Sequence, residues 1–303
     1  MGGMAIDKAA RAFAAAGCQG WLCALEVDGR GEACHDADEP VVSASVFKVA
    51  VALEVFRQAA AGKLDPRQRL LVTPADATAG PTGISVFSDA AELSVRDLAL
   101  LMLTVSDNAA TDVLTGLVGL DSVNATLAGL GLAGTVIPVR LAEYLDWIGQ
   151  DAGFAGWADL ARRAESLPPD DTRRALARAT AGRAFDPYTA IRSTARETAA
   201  LLRLIWRDEA GPAEACAPVR AMMHRQVTRQ RLALGFPRAG TQVAAKSGSL
   251  LGIIRNEAGV ITYPDGRRYA VAVFTRADEP WEREHEINAA IGAAAAHAVD
   301  FLR

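Results

Sequence analysis

Ser45 and Lys48 stand three positions apart at the head of an almost wholly apolar stretch, 49–56. That offset puts both side chains on one face of the first turn of a helix, where hydroxyl and amine can hydrogen-bond. A serine hydroxyl becomes an effective nucleophile when a base takes its proton. A lysine can be that base when burial or a second cation lowers its pKa. A lysine in the first turn of a buried helix also needs a reason to be there. The plainer alternative makes Ser45 an N-cap and nothing more, and this spacing alone favours the plainer one.

Two further motifs shift the balance. Ser106-Asp107-Asn108 follows a helical stretch, 94–104, and Lys246-Ser247-Gly248 lies in a strand-like stretch near the C-terminus. Together the three reproduce, in order, the S-x-x-K, S-D-N and K-T-G series of class A β-lactamases and penicillin-binding proteins, with Ser for Thr in the last. On these residues the chain resembles the serine β-lactamase and penicillin-binding protein superfamily, in its class A-like branch. The resemblance runs through most of the chain. Residues 21–36 look like the family's first hairpin. Gly80-Pro81-Thr82-Gly83-Ile84 and 93–114 look like the approach to and passage through the second motif. Residues 241–276 look like the last three strands, and 282–302 like the C-terminal helix. The weakest stretch is 141–186.

Chemistry and resemblance together assign roles. Ser45 attacks a carbonyl carbon, and Lys48 orients and deprotonates it, directly or through water. Ser106 passes a proton to the leaving amine, because an amide nitrogen must be protonated to depart. The resemblance places Lys246 near Ser106, where it lowers the hydroxyl's pKa and attracts a substrate carboxylate. It also implies an oxyanion hole from the backbone N–H groups of Ser45 and Ser249. Asn108 would hold the substrate's side-chain amide, its alternative use being a helix cap. Ser247 and Gly248 would line the substrate strand. Arg255, nine positions after Lys246, matches a carboxylate-binding arginine of some class A enzymes; the other reading is a surface arginine at a strand end.

One expected pattern is missing. Class A β-lactamases activate the deacylating water with a glutamate followed three residues later by Leu-Asn. Here the matching region reads Arg140-Leu141-Ala142-Glu143-Tyr144-Leu145-Asp146-Trp147. Glu143 is the nearest acid to the required place and the candidate base, without its Leu-Asn; its alternative is a solvent-facing helix residue. The stretch 147–186, with Trp147, Trp157, Pro168 and Pro169, is longer than usual and is expected to add helices over the cleft. Acylation is therefore expected, and slow deacylation with it.

These residues must be positioned by a scaffold. Apolar periodicity and caps predict helices over 4–16, 45–61, 94–104, 107–117, 121–130, 194–207 and 212–229. Ser94…Asp97 reads as a capping box and Asp107 as an N-cap. Strands are expected over 21–27 and 32–35, joined as a hairpin, and over 241–249, 256–263 and 268–276. Strands at both ends with helices between imply an α+β protein. The resemblance implies a five-stranded antiparallel sheet flanked by helices, with an inserted helical lobe and the active site between the lobes. The expected organisation is one domain over 1–303, with a sheet lobe of 1–40 plus 210–303 and a helical lobe of 41–209.

Bulk properties restrict the function classes. The chain has 303 residues, 50% of them hydrophobic, and a net charge of −4. No basic block points to nucleic acid, and no apolar run has membrane-spanning length. Asp7, Lys8 and Arg11 interrupt the apolar character of 1–17, so a secretory signal is absent from it. A cytoplasmic location is expected unless a leader has been removed. Cys18, Cys23, Cys34 and Cys216 have no metal-like spacing; Cys23 and Cys34 can face each other across the first hairpin, although free thiols suit a reducing compartment better. His35, His224, His285 and His297 are scattered, so no Ser-His-Asp triad, metal site or cofactor is expected.

The expected function is a serine hydrolase, with β-lactams the leading substrates and a small amide or ester bearing a carboxylate as the general class. The alternatives are an intracellular esterase or amidase of a biosynthetic pathway, and a sensor that is acylated by β-lactams without turnover. A monomer is expected.

Overall fold

The computed structural model describes residues 2–303. Helix α1 (Gly2–Ala16) leads into the hairpin of β1 (Cys18–Glu26) and β2 (Glu32–His35). Strand β3 (Val41–Val42) and a 3-10 turn, Ala44–Phe47, deliver the chain to α2 (Lys48–Ala60). Strand β4 (Arg69–Val72) pairs with β5 (Ala91–Ser94), and α3 (Val95–Thr104), α4 (Asn108–Val118) and α5 (Leu120–Gly129) surround α2. Next come α6 (Leu141–Asp151), α7 (Trp157–Ala164), α8 (Pro169–Thr180), β6 (Arg192–Ser193), which pairs with β3, α9 (Ala195–Trp206) and α10 (Ala213–Met223). The chain closes with β7 (Gln242–Leu250), β8 (Ile254–Thr262), β9 (Arg268–Ala277) and α11 (Glu284–Leu302).

The expected α+β architecture is present: a five-stranded sheet in the order β2-β1-β9-β8-β7, antiparallel at every pairing. Period-2 alternation builds a core on each face. In β9, Tyr269, Val271 and Val273 join Phe13 of α1 and Ile287 and Ile291 of α11 on one side. Ala270, Ala272 and Phe274 join Leu201, Leu202 and Ile205 of α9 on the other. Every residue of α2 from Lys48 to Phe56 is buried, so this helix runs through the middle of the helical part. The only charged side chains on that stretch, Lys48 and Glu54, are both hydrogen-bonded, as buried polar groups must be.

Local sequence rules account for the caps. Ser94 Oγ accepts from Asp97 N at 3.3 Å, and Asp107 Oδ1 accepts from Ala110 N at 3.0 Å. Three local expectations are corrected. The helix expected over 212–229 stops at Met223. Residues 224–231 instead form a loop that turns Gln226 and Arg231 inward, where buried partners on the sheet hold them. The helix expected from Ser45 starts at Lys48, because Ser45 lies in the 3-10 turn and Ala44 takes a left-handed φ of 45°. Cys23 and Cys34, expected as free thiols, are directly opposed in the hairpin register and joined as a disulfide, while Cys18 and Cys216 are free and buried. The stretch 147–186 does carry the extra helices α7 and α8. Among the described residues no helix is long and apolar enough to cross a membrane.

Candidate active site

The three motifs converge on one cleft between α2, the start of α4 and the edge strand β7. The Lys48 amine donates to the Ser106 carbonyl at 2.7 Å, the Ser106 hydroxyl at 3.2 Å and Asn108 Oδ1 at 2.8 Å. These three acceptors match the three N–H bonds of an ammonium. The expected hydrogen bond from Lys48 to Ser45 is therefore absent: the amine is committed to Ser106 and Asn108, and half-buried Ser45 sits a turn away in the 3-10 segment. Ser106 holds a left-handed φ of 62°, which turns both its carbonyl and its hydroxyl toward the lysine. Such a conformation is costly for a non-glycine residue and recurs where function requires it.

Buried carboxylates hold this geometry. Asp107, wholly buried, accepts from Ile84 N at 2.6 Å and Ser85 Oγ at 3.3 Å as well as capping α4. It thereby ties the turn Gly83–Val86 to the Ser-Asp-Asn segment. Asn108 Nδ2 donates to Ala79 O at 2.7 Å, so its amide braces the cleft wall as well as accepting from Lys48. Asp112, one turn further along α4, accepts from Leu141 N and Ala142 N at 2.7 Å each and from Thr78 Oγ1 at 2.7 Å. Those bonds fix where α6 begins.

The opposite wall is β7. Lys246 is fully buried and donates to Ser247 O at 2.7 Å. Gly248 passes so close to the nucleophile turn that a Cβ on it would lie 3.0 Å from Ser45 N and Ser43 O. The backbones that would form the expected oxyanion hole are therefore in contact, and glycine is what allows it. Asn256 on β8 secures that contact by donating to Val42 O at 2.9 Å and Ser43 O at 3.1 Å.

Electrostatics follow from burial. Desolvation, then repulsion from Lys246, hold the Lys48 amine well below the ordinary lysine range, with Asp107 and Asp112 pulling the other way. Desolvation brings Lys246 down to about 7; Glu257 opposes the shift and Arg231 adds to it. Burial in turn raises the carboxyl of Glu257, against hydrogen bonds from Gln226 Nε2 at 2.8 Å and Leu232 N at 2.6 Å. Gln226 also accepts from Ser247 N, so it connects Glu257 to the lysine's own strand.

Two expected site residues are placed differently. Arg255 forms an ion pair with Glu284, so its charge is already engaged. The guanidinium that reaches the substrate strand is Arg231, which donates to Gly248 O at 2.8 Å, Asn256 O at 2.6 Å and Ser249 Oγ at 2.6 Å, with Asn288 Oδ1 on its Nε at 2.9 Å. Glu143 is exposed on the first turn of α6, on the side away from buried Leu141, Tyr144, Leu145 and Ile148. Among the described residues its carboxylate bonds to none of Ser45, Lys48, Ser106 or Asn108.

Sequence reasoning missed Asp112, Gln226, Arg231, Asn256 and Glu257. A signal existed for two of them. Arg255-Asn256-Glu257 is a polar run inside an otherwise apolar strand, and buried polar runs need partners. Gln226 carried none, because it sits where the pattern reads as helix, and Arg231 lies just beyond the helix expected over 212–229 in no motif.

An α+β fold with this helix-and-strand cleft defines the serine β-lactamase-like hydrolase fold. The β-lactamase enzyme family model matches residues 5–302, and the chain belongs to that family. Over 285 residues it is 28% identical to the β-lactamase regulatory protein BlaB of Streptomyces cacaoi, covering 88% of each chain. The extended-spectrum β-lactamase PER-1 of Pseudomonas aeruginosa is 26% identical over 253 residues, 80% of this chain and 70% of that one. The crystal structure of a β-lactamase from Sphaerobacter thermophilus superposes with a TM-score of 0.75 at 26% identity, covering 97% of both chains.

Proposed function

We propose that this protein is a serine hydrolase that forms an acyl-enzyme at Ser45, with β-lactams as leading substrates and slow release of the acyl group. The observation that carries the proposal is the Lys48 amine: wholly buried, depressed in pKa and hydrogen-bonded to the Ser106 hydroxyl at 3.2 Å. Its depressed pKa lets the ammonium lose a proton to solvent, and the neutral amine then has two N–H bonds and one lone pair that can take the proton of Ser45 as Oγ attacks the carbonyl carbon. The resulting ammonium then gives a proton to Ser106, and Ser106 passes its own to the departing nitrogen. The oxyanion lies against the Ser45 and Ser249 backbones. Protonated Lys246 and the Arg231 guanidinium behind Ser249 would attract a substrate carboxylate, in place of the engaged Arg255.

A second reading, a β-lactam sensor that is acylated without turnover, is favoured by the broken Leu-Asn pattern after exposed Glu143 and by the likeness to a protein named as regulatory. Intact-protein mass after brief exposure to penicillins and activated esters tests both. An adduct on the native protein, absent from Ser45→Ala, supports acylation, and its lifetime separates hydrolase from sensor. An adduct that persists on Ser45→Ala overturns the proposal.

A further inference from the structure

A cavity of about 380 Å³ lies between the sheet and the end of the long stretch 147–186, and none of Ser45, Lys48, Ser106 or Lys246 lines it. Its floor follows from strand register. Trp21 on β1 stands opposite Phe274 on β9, and Ile254 on β8 stands opposite Arg276. Phe274 and Arg276 are two apart on β9, so period-2 alternation turns both to one face. The roof is the chain just after α8, where Phe185 and Asp186 line the space, and exposed Gln19 and Ala181 stand at the rim. The volume falls within the range of small-molecule sites, roughly 300–1,000 Å³.

Two charged side chains of opposite sign line this cavity, and neither meets a counter-charge. Arg276 donates to Phe185 O and Thr180 O at 3.2 Å each, which uses two of the five guanidinium N–H groups. Among the described residues it forms no ion pair, and burial pulls its pKa below the usual guanidinium range. Asp186 follows Phe185 directly in the chain, yet among the described residues its carboxylate accepts only from Tyr188 N, at 2.9 Å. A partly desolvated charge is costly without a partner, and the guanidinium fork matches a carboxylate. The other polar groups are already engaged. Asn256 donates to Val42 O at 2.9 Å and Ser43 O at 3.1 Å, the Thr275 hydroxyl donates to Arg255 O, and the Thr180 hydroxyl donates to Leu176 O at 3.0 Å. Aromatic surface makes up much of the remainder: Trp21, Phe185 and Phe274. The Trp21 ring is held in place by its Nε1, which donates to Glu39 Oε2 at 2.6 Å.

We propose that this cavity is a second ligand site, and that it takes a free α-amino acid with an apolar side chain. The α-carboxylate lies on Arg276 and the α-ammonium against Asp186, which leaves the side chain for Trp21, Phe185 and Phe274. A zwitterion answers both charges at once, whereas a simple anion leaves Asp186 unanswered and is repelled by it. The site goes beyond the acyl-enzyme reading and does not depend on it, since no bond forms or breaks there.

Isothermal titration calorimetry of the native protein with both enantiomers of phenylalanine and with leucine, each to about 10 mM, detects a site of millimolar affinity or better. Saturable binding of at least one of the three is expected. Phenylalaninamide lacks the carboxylate and 3-phenylpropanoate lacks the ammonium. Each should bind at least about tenfold more weakly than phenylalanine, the scale of one charge-assisted hydrogen bond. Asp186→Asn retains an oxygen for Tyr188 N and should erase the preference for phenylalanine over 3-phenylpropanoate. Arg276→Gln, checked for folding by circular dichroism, should erase the preference over phenylalaninamide. Ala181→Trp fills this cavity and not the cleft, and should abolish binding. Absence of saturable binding by all three amino acids overturns the site. So does equal affinity for phenylalanine and phenylalaninamide, or binding that Ala181→Trp leaves intact, which would move the ligand elsewhere. Acylation of Ser45 enters none of these readouts, so they stand or fall apart from the acyl-enzyme reading.

Discussion

Lys48 donates to the carbonyl of Ser106 at 2.7 Å and to its hydroxyl at 3.2 Å. The lysine is therefore joined, before substrate arrives, to the hydroxyl proposed as proton donor for the leaving group. Ser45 must reach the same amine, directly or through water, only when a substrate carbonyl is in place. Catalytic hydrogen bonds often tighten at that stage.

Removing the amine should separate binding from chemistry. Lys48→Ala is expected to slow acylation by penicillins about 10²–10⁴-fold, with circular dichroism checking that the variant is folded. Ser106→Ala should slow penicillin acylation by at least tenfold more than it slows acylation by p-nitrophenyl esters, whose leaving group departs without a proton. Stopped-flow acylation with the two substrate classes measures this. Equal losses in both would remove Ser106 from the proton path.

Acylation by carboxylate-bearing substrates should be lost on the alkaline side. Lys246 gives up its proton at about 7, so its attraction for a carboxylate fades as pH rises through that value. Glu257 holds the proton on, and Glu257→Gln should move the alkaline limb of kcat/KM to lower pH. An uncharged ester should show no such limb. A limb that stays in place in Glu257→Gln would disconnect that carboxylate from the lysine.

The same burial has a cost in stability. Folded Lys246 titrates at about 7 rather than 10.5. Between those values the unfolded chain binds more protons, so this group makes stability rise with pH. The penalty is fully present below about pH 7. Lys246→Met should raise Tm by at least about 2–4 °C near pH 6, and the gain should shrink toward pH 10. Calorimetry across pH checks the slope; a gain independent of pH argues against the buried charge as its origin.

Gly248→Ala should reduce acylation by at least about 10²-fold, the scale of a lost oxyanion donor, because its methyl would meet Ser45 N and Ser43 O at 3.0 Å. Acylation kinetics at native-like levels in this variant would place the oxyanion elsewhere.

Glu143→Gln is expected to change the lifetime of the penicilloyl adduct by less than about twofold, because among the described residues its exposed carboxylate bonds to none of Ser45, Lys48, Ser106 or Asn108. Time-resolved mass spectrometry gives the lifetime. A marked lengthening would restore Glu143 as the deacylating base.

The sequence by itself determined what is local. Helix periodicity, the Ser94…Asp97 box, the Asp107 cap and the alternation in β9 depend on neighbours within a few residues, and these elements form where the pattern predicts. The three motifs identified Ser45, Lys48, Ser106 and Lys246 because their spacing is local too, and their order supplied the family. Tertiary structure decided what lies between elements. Whether Lys48 bonds to Ser45 or to Ser106 depends on how α4 meets α2, across 58 residues of chain. That Arg231 rather than Arg255 faces Ser249 depends on where Glu284 falls at the head of α11. Where α6 begins, and with it the place of Glu143, depends on Asp112, which lies on another helix. Burial sets the charge state of each lysine, and burial is a property of the packed molecule, not of spacing along the chain.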